Sequence, residues 1–74
     1  MSAWWFVQVK DNGLVYSASR AYGSDEARFD VRGDAEDLVD EILWWYERTH
    51  PNRVVQCRLV FRNEHGVVQE TEWV

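Results

Sequence analysis

The pair Asn12-Gly13 constrains this chain more than any other two residues. It stands between two runs of alternating character, residues 4–10 and 14–20. A two-residue hairpin turn of type I′ needs positive φ at both central positions, which Asn and Gly tolerate. With those two as the turn, Asp11 faces Leu14, Val9 faces Tyr16, Val7 faces Ala18 and Trp5 faces Arg20. Strand side chains alternate with period two, so Trp5, Val7, Val9, Tyr16 and Ala18 share one face. Trp4, Phe6, Gln8, Lys10, Val15, Ser17 and Ser19 share the other.

Residues 21–26 read as a loop turning at Gly23, Ser24 and Asp25. Residues 27–32 alternate again and predict a short third strand, with Ala27, Phe29 and Val31 facing in. Asp34 is the predicted N-cap of a helix over residues 35–49, with acids filling its first turn. Ala35, Leu38, Val39, Ile42, Leu43 and Tyr46 keep the i, i+3, i+4, i+7 spacing of a buried stripe. Trp45 borders that stripe and is expected at the core edge. Pro51 ends the helix, because the residue before a proline is driven out of helical conformation.

Residues 54–62 predict a strand with Val55, Cys57, Leu59 and Phe61 on one face, followed by a turn at 63–66 and a last strand over 67–74. A three-residue loop ending at Gly66 would set Thr71 and Trp73 on the core face. A four-residue loop would set Val68 and Val74 there and turn Glu70 and Glu72 inward. Burying carboxylates without partners is costly, which favours the first. The order is β-β-(β)-α-β-β: an α+β domain with a four- or five-stranded antiparallel sheet and one helix packed on one face. One helix cannot cover both faces, so the other sheet face is expected to be open.

Seventy-four residues suffice for one domain, 1–74, with a core of marginal size. Five Trp, three Tyr and three Phe compensate with bulk. Cys57 is the only cysteine, which excludes an intrachain disulfide and makes the reducing cytoplasm the expected compartment. No apolar run approaches the roughly 20 residues that span a bilayer, and the first residues lack the pattern of a signal peptide. The net charge is −5 and the pI about 4.8, which argues against general affinity for phosphate backbones and favours basic partner surfaces. Lys10 is the only lysine, so the cations are almost all planar guanidinium groups.

Three constellations stand out. Trp44 falls on the polar side of the predicted helix, with Asp37, Asp40 and Glu41 before it and Arg48 one turn after. Trp among carboxylates suits an anchor for a basic partner, though it equally suits a cover for a neighbouring loop. The acids Asp30, Asp34, Glu36, Asp37, Asp40, Glu41 and Glu47 form the second feature. Such an array can imitate the phosphates of a duplex, or simply be a solvated helix face. The third is the outer sheet face, where Trp4 and Phe6 lie beside Arg58 and Arg62. Aromatics beside arginines resemble single-strand nucleic-acid platforms, and would equally serve as a homodimer seam or a protein contact.

Catalytic patterns are weak. His50 and His65 fall in turns, Cys57 on a core face, and Ser17 and Ser19 have no histidine nearby in sequence. No metal-ligand spacing and no glycine-rich phosphate loop occurs, so neither cofactor nor metal is expected. The leading expectation is a non-catalytic acidic protein that occludes a basic, nucleic-acid-binding site on a partner through Asp37, Asp40, Glu41, Trp44 and Arg48. In size and charge the chain resembles DNA-mimicking inhibitors, phage anti-CRISPR proteins among them, and the likeness is one of composition. The alternative is a sheet-face module using Trp4, Phe6, Arg58 and Arg62.

Overall fold

The computed structural model describes residues 2–18 and 26–74. Strands β1 (Ala3–Asp11) and β2 (Leu14–Ser17) form the first hairpin. Asn12 and Gly13 have φ values of 50° and 90°, as a type I′ turn demands. Asp11 pairs with Leu14 and Val9 with Tyr16, as the alternation predicts, and Ala18 N–H donates to the Val7 carbonyl at 2.8 Å. The predicted partner of Trp5, Arg20, lies outside the described residues.

Trp5 instead exchanges two backbone hydrogen bonds with Phe29, at 2.7 and 2.9 Å. This isolated bridge stands where a third strand was expected. The segment cannot extend further as a strand, because helix α1 (Arg32–Thr49) already begins three residues after Phe29. Ala27 is nonetheless fully buried and Phe29 packs against the core. The helix starts earlier than its acids suggest. Val31 is the N-cap residue and its side chain makes no capping bond, so Asp34 sits inside the first turn rather than before it. There its carboxylate still meets the positive end of the helix dipole, and Arg48 meets the negative end.

Strands β3 (Val55–Asn63) and β4 (Gly66–Glu70) complete a four-stranded antiparallel sheet in the order β2-β1-β3-β4. The protein is thus α+β, with the arrangement β-β-α-β-β. The α1 stripe packs on one sheet face, where Val7, Val9, Ala18, Ala35, Val39, Cys57 and Leu59 are buried. Leu38, Ile42, Leu43, Trp5, Phe29 and Val55 border this cluster. None of the five tryptophans is buried. Trp45, expected at the core edge, keeps 47% of its surface exposed, against Tyr46 and His50.

The last strand follows neither predicted register. A two-residue turn at Glu64 and His65 closes the pair Asn63–Gly66. Arg62 then faces Val67 while Phe61 faces Gln69, so Val68 is an extra, bulged residue. Beyond β4 the chain stays beside β3: Thr71 N–H donates to Leu59, and Val74 exchanges two bonds with Cys57. Three residues there span two on β3, a second irregularity. The slips keep Thr71 opposite Leu59 but send Trp73 to the outer face, where Lys10 and Arg58 stack on it. Glu70 also points outward, and Arg58 meets it at 2.7 Å.

The outer sheet face is not open as expected. Trp4, Phe6 and Gln8 do sit there opposite Arg62, Val60 and Arg58. Yet Phe6 is only 4% exposed and Val60 1%. Their neighbours along and across the strands are Trp4, Gln8, Arg58, Arg62 and Glu70, whose long stems cover the apolar pair while their polar ends reach water.

Candidate functional site

An α-helix advances about 100° per residue, so residues 37, 41, 44 and 48 fall within one narrow sector. In α1 that sector points away from the sheet, opposite the buried Ala35 and Val39. Asp37, Asp40, Glu41, Trp44 and Arg48 are all exposed. Trp44 retains 55% of its surface, and the Arg48 guanidinium lies 4.5 Å from its ring centre. This stack fixes the indole against the helix and leaves its other side to solvent.

The one ion pair within α1 joins Arg32 to Glu36 at 3.6 Å, and no ion pair among the described residues involves Asp37, Asp40 or Glu41. The sector therefore sets carboxylates that form no ion pair with any described residue beside a flat aromatic surface, with Arg48 as the cation stacked on it.

The acidic surface continues over the flank of α1 toward the last strand. Glu36, Asp40 and Glu72 line a cleft of about 300 Å³ together with the apolar Val39, Leu59 and Val74 and two arginines, Arg32 and Arg58. Glu72 is a site residue that helix periodicity could not find, because it joins the rim only through the irregular pairing of residues 71–74.

The sheet-face residues are arranged differently. The Trp4 indole N–H donates to Glu26 at 3.1 Å, and Arg28 and Arg62 stack on its ring at 4.1 and 5.4 Å. Arg58 donates to Gln8 at 2.7 Å, meets Glu70 at 2.7 Å and stacks on Trp73 at 4.5 Å. Phe6 lies beneath and has no ring face to offer a ligand. The four residues are together, as expected, but their polar groups are already engaged with one another.

Cys57 is fully buried, and burial pushes its thiol up to about 11. His50 accepts or donates within 2.8 Å of the Thr49 hydroxyl, and His65 lies beside Glu64 at 3.6 Å. Among the described residues, no group of three or more His, Cys, Asp or Glu side chains is arranged to hold a metal ion. Among the described residues, no helix is long and apolar enough to cross a membrane. Compared with known proteins, the chain matches no family model, and no curated protein and no solved structure is significantly similar to it.

Proposed function

We propose that this protein is a non-catalytic binding protein whose acidic, Trp-centred helix face occludes a cationic, nucleic-acid-binding surface on a partner protein. The observation that carries this reading is the exposure of Asp37, Asp40 and Glu41, with no ion pair to any described residue, beside the half-exposed Trp44. A basic groove that accepts phosphates would accept this array by the same electrostatics, and its arginines would stack on the indole. The inhibitor would then act as a DNA mimic, of the general type that phage anti-CRISPR proteins represent.

The test is capture from bacterial lysate by the tagged protein, followed by elution with duplex DNA. The expected result is retention of a nucleic-acid-binding protein that duplex DNA displaces. An Asp37→Lys, Asp40→Lys double variant should lose it, and an Arg58→Glu, Arg62→Glu variant should keep it. Equal capture by the native and the Asp37→Lys, Asp40→Lys proteins refutes the reading. Loss confined to the Arg58→Glu, Arg62→Glu variant would move the contact to the outer sheet face.

A further inference from the structure

The two edges of the sheet differ in a way the acidic helix does not explain. At the β4 edge, Val68 bulges, the pairing of residues 71–74 slips again, and Glu70 and Glu72 line the strand. Bulges and charges are the usual means by which a protein prevents its sheet from growing. The β2 edge has none of them. Leu14, Val15, Tyr16 and Ser17 contain no charge, no proline and no bulge, and all four are exposed. Leu14 keeps 70% of its surface, Val15 45% and Tyr16 40%.

Among the described residues, none pairs with the outer side of this edge. In an antiparallel ladder, residues alternate between bonding their partner and pointing away from it. The Val7–Ala18 bond sets that alternation, so Leu14 and Tyr16 bond β1 while the N–H and C=O groups of Val15 and Ser17 point outward. On the helix side the same edge is lined by aromatics. The Tyr16 and Tyr46 hydroxyls bond at 2.9 Å, and Trp45 packs edge-on to Tyr46 at 5.0 Å. Glu36, Asp40 and Glu47 line clefts beside α1, and at 100° per residue Trp45 falls on the opposite side of the helix from them.

We infer that β2 is a homodimer seam, in which β2 pairs antiparallel with β2 of a second copy about a two-fold axis perpendicular to the sheet. Charge selects a second copy as the occupant. Two chains of net charge −5 repel wherever acids meet, and this strip is the stretch of edge where none would. A basic partner is drawn instead to the acids on the helix. Antiparallel pairing is also self-complementary: the outward groups of Val15 and Ser17 on one copy meet those of the other. The product is one continuous eight-stranded sheet with both helices on the same side. This seam is distinct from the outer sheet face, and the inference does not depend on the proposed partner of α1.

The experiment is sedimentation equilibrium of the purified chain over a concentration series, with amide hydrogen exchange read by NMR at both ends. The expected mass rises from 8.8 kDa toward twice that value. The Val15 and Ser17 amides should gain protection as it rises, while those of Leu14 and Tyr16 stay protected throughout. With Val15 opposite Ser17 of the second copy, Tyr16 faces Tyr16 on the axis, so Tyr16→Lys sets two like charges face to face, and Val15→Pro removes an outward donor without touching the β1 ladder. Both should sediment as monomers with native circular dichroism, while Asp37→Lys, Asp40→Lys should still dimerise. A mass fixed at 8.8 kDa up to about 1 mM overturns the inference. So does a dimer that survives both β2 variants, or one that leaves Val15 and Ser17 unprotected.

Discussion

Phe6 and Val60 face each other across β1 and β3 on the side of the sheet away from α1, and both are closed to solvent. The domain therefore has two apolar layers: a core of small residues under the helix, and a thinner one roofed by aromatic and arginine side chains. Replacing Phe6 by Ala should cost about 3–5 kcal/mol, the range for emptying a buried phenylalanine site. Val67→Ala, at a position 53% exposed on β4, should stay within about 0.5 kcal/mol of the native protein. Urea denaturation reads both. A loss below about 1 kcal/mol for Phe6→Ala would mean that this face is wet.

The roof has a centre at Arg58, which bonds Gln8, meets Glu70 and stacks on Trp73. A double-mutant cycle between Arg58→Ala and Trp73→Ala should return a coupling of about 0.5–2 kcal/mol, the range for a partly desolvated cation–π pair. Lysine at position 58 should recover only part of the loss, since an ammonium cannot reproduce a planar fork stacked on an indole. Additive single losses would show that Trp73 is held by its backbone alone.

Titration of Cys57 gives a pH signature. The unfolded thiol ionises near 8.5, whereas burial holds the folded thiol neutral until about 11. Between those values the unfolded chain has released a proton that the folded chain retains. The stability this group contributes is thus full below about pH 8.5 and is lost as pH rises toward 11, by at most about 1.4 kcal/mol per unit. Tyr16 acts in the same direction at higher pH, its phenol raised by burial and then by the Tyr46 hydrogen bond. Urea midpoints measured from pH 7 to 11 should fall in this window, and Cys57→Ala should flatten the fall without removing the Tyr16 contribution. A flat profile for the native chain would contradict a buried thiol.

The hairpin and the helix were legible because each is written in one local period. Asn12-Gly13 sets the first register, and the stripe from Ala35 to Tyr46 sets the face of α1. The exposed sector with Asp37, Glu41, Trp44 and Arg48 follows from the same 100° step, so those candidate residues fell where expected. What failed depended on contacts distant in sequence. The helix start at Arg32 includes Gly33, a poor helix former, and is set by the Trp5–Phe29 bridge that brings the chain to the sheet just before it. The slips at Val68 and after Thr71 insert residues with no glycine to mark them. They decide that Trp73 roofs the outer face and that Glu72 rims the cleft, so neither placement has a pattern in the sequence. The burial of Phe6 was hidden for the same reason, because its cover comes from β3 and β4.

Asn12 has two functions that substitution can separate. Its φ of 50° serves the turn, while its side-chain oxygen accepts the Val54 N–H at 3.2 Å and its own N–H donates to the Val54 carbonyl at 3.0 Å. The turn is thereby clasped to the segment entering β3. Asn12→Gly keeps the φ and the backbone bond but removes the side-chain acceptor, and should cost about 1 kcal/mol, as for one exposed hydrogen bond. Gly13→Ala meets no atom within 4 Å, so its cost is purely that of holding an L-residue at φ 90°, about 1–2 kcal/mol. Gly13→Asn should cost less than Gly13→Ala, because Asn tolerates left-handed φ. Chemical denaturation of the three variants orders them. Equal losses for Gly13→Ala and Gly13→Asn would show that the turn relaxes out of the type I′ form, and an unchanged Asn12→Gly would show that the Val54 clasp contributes nothing to stability.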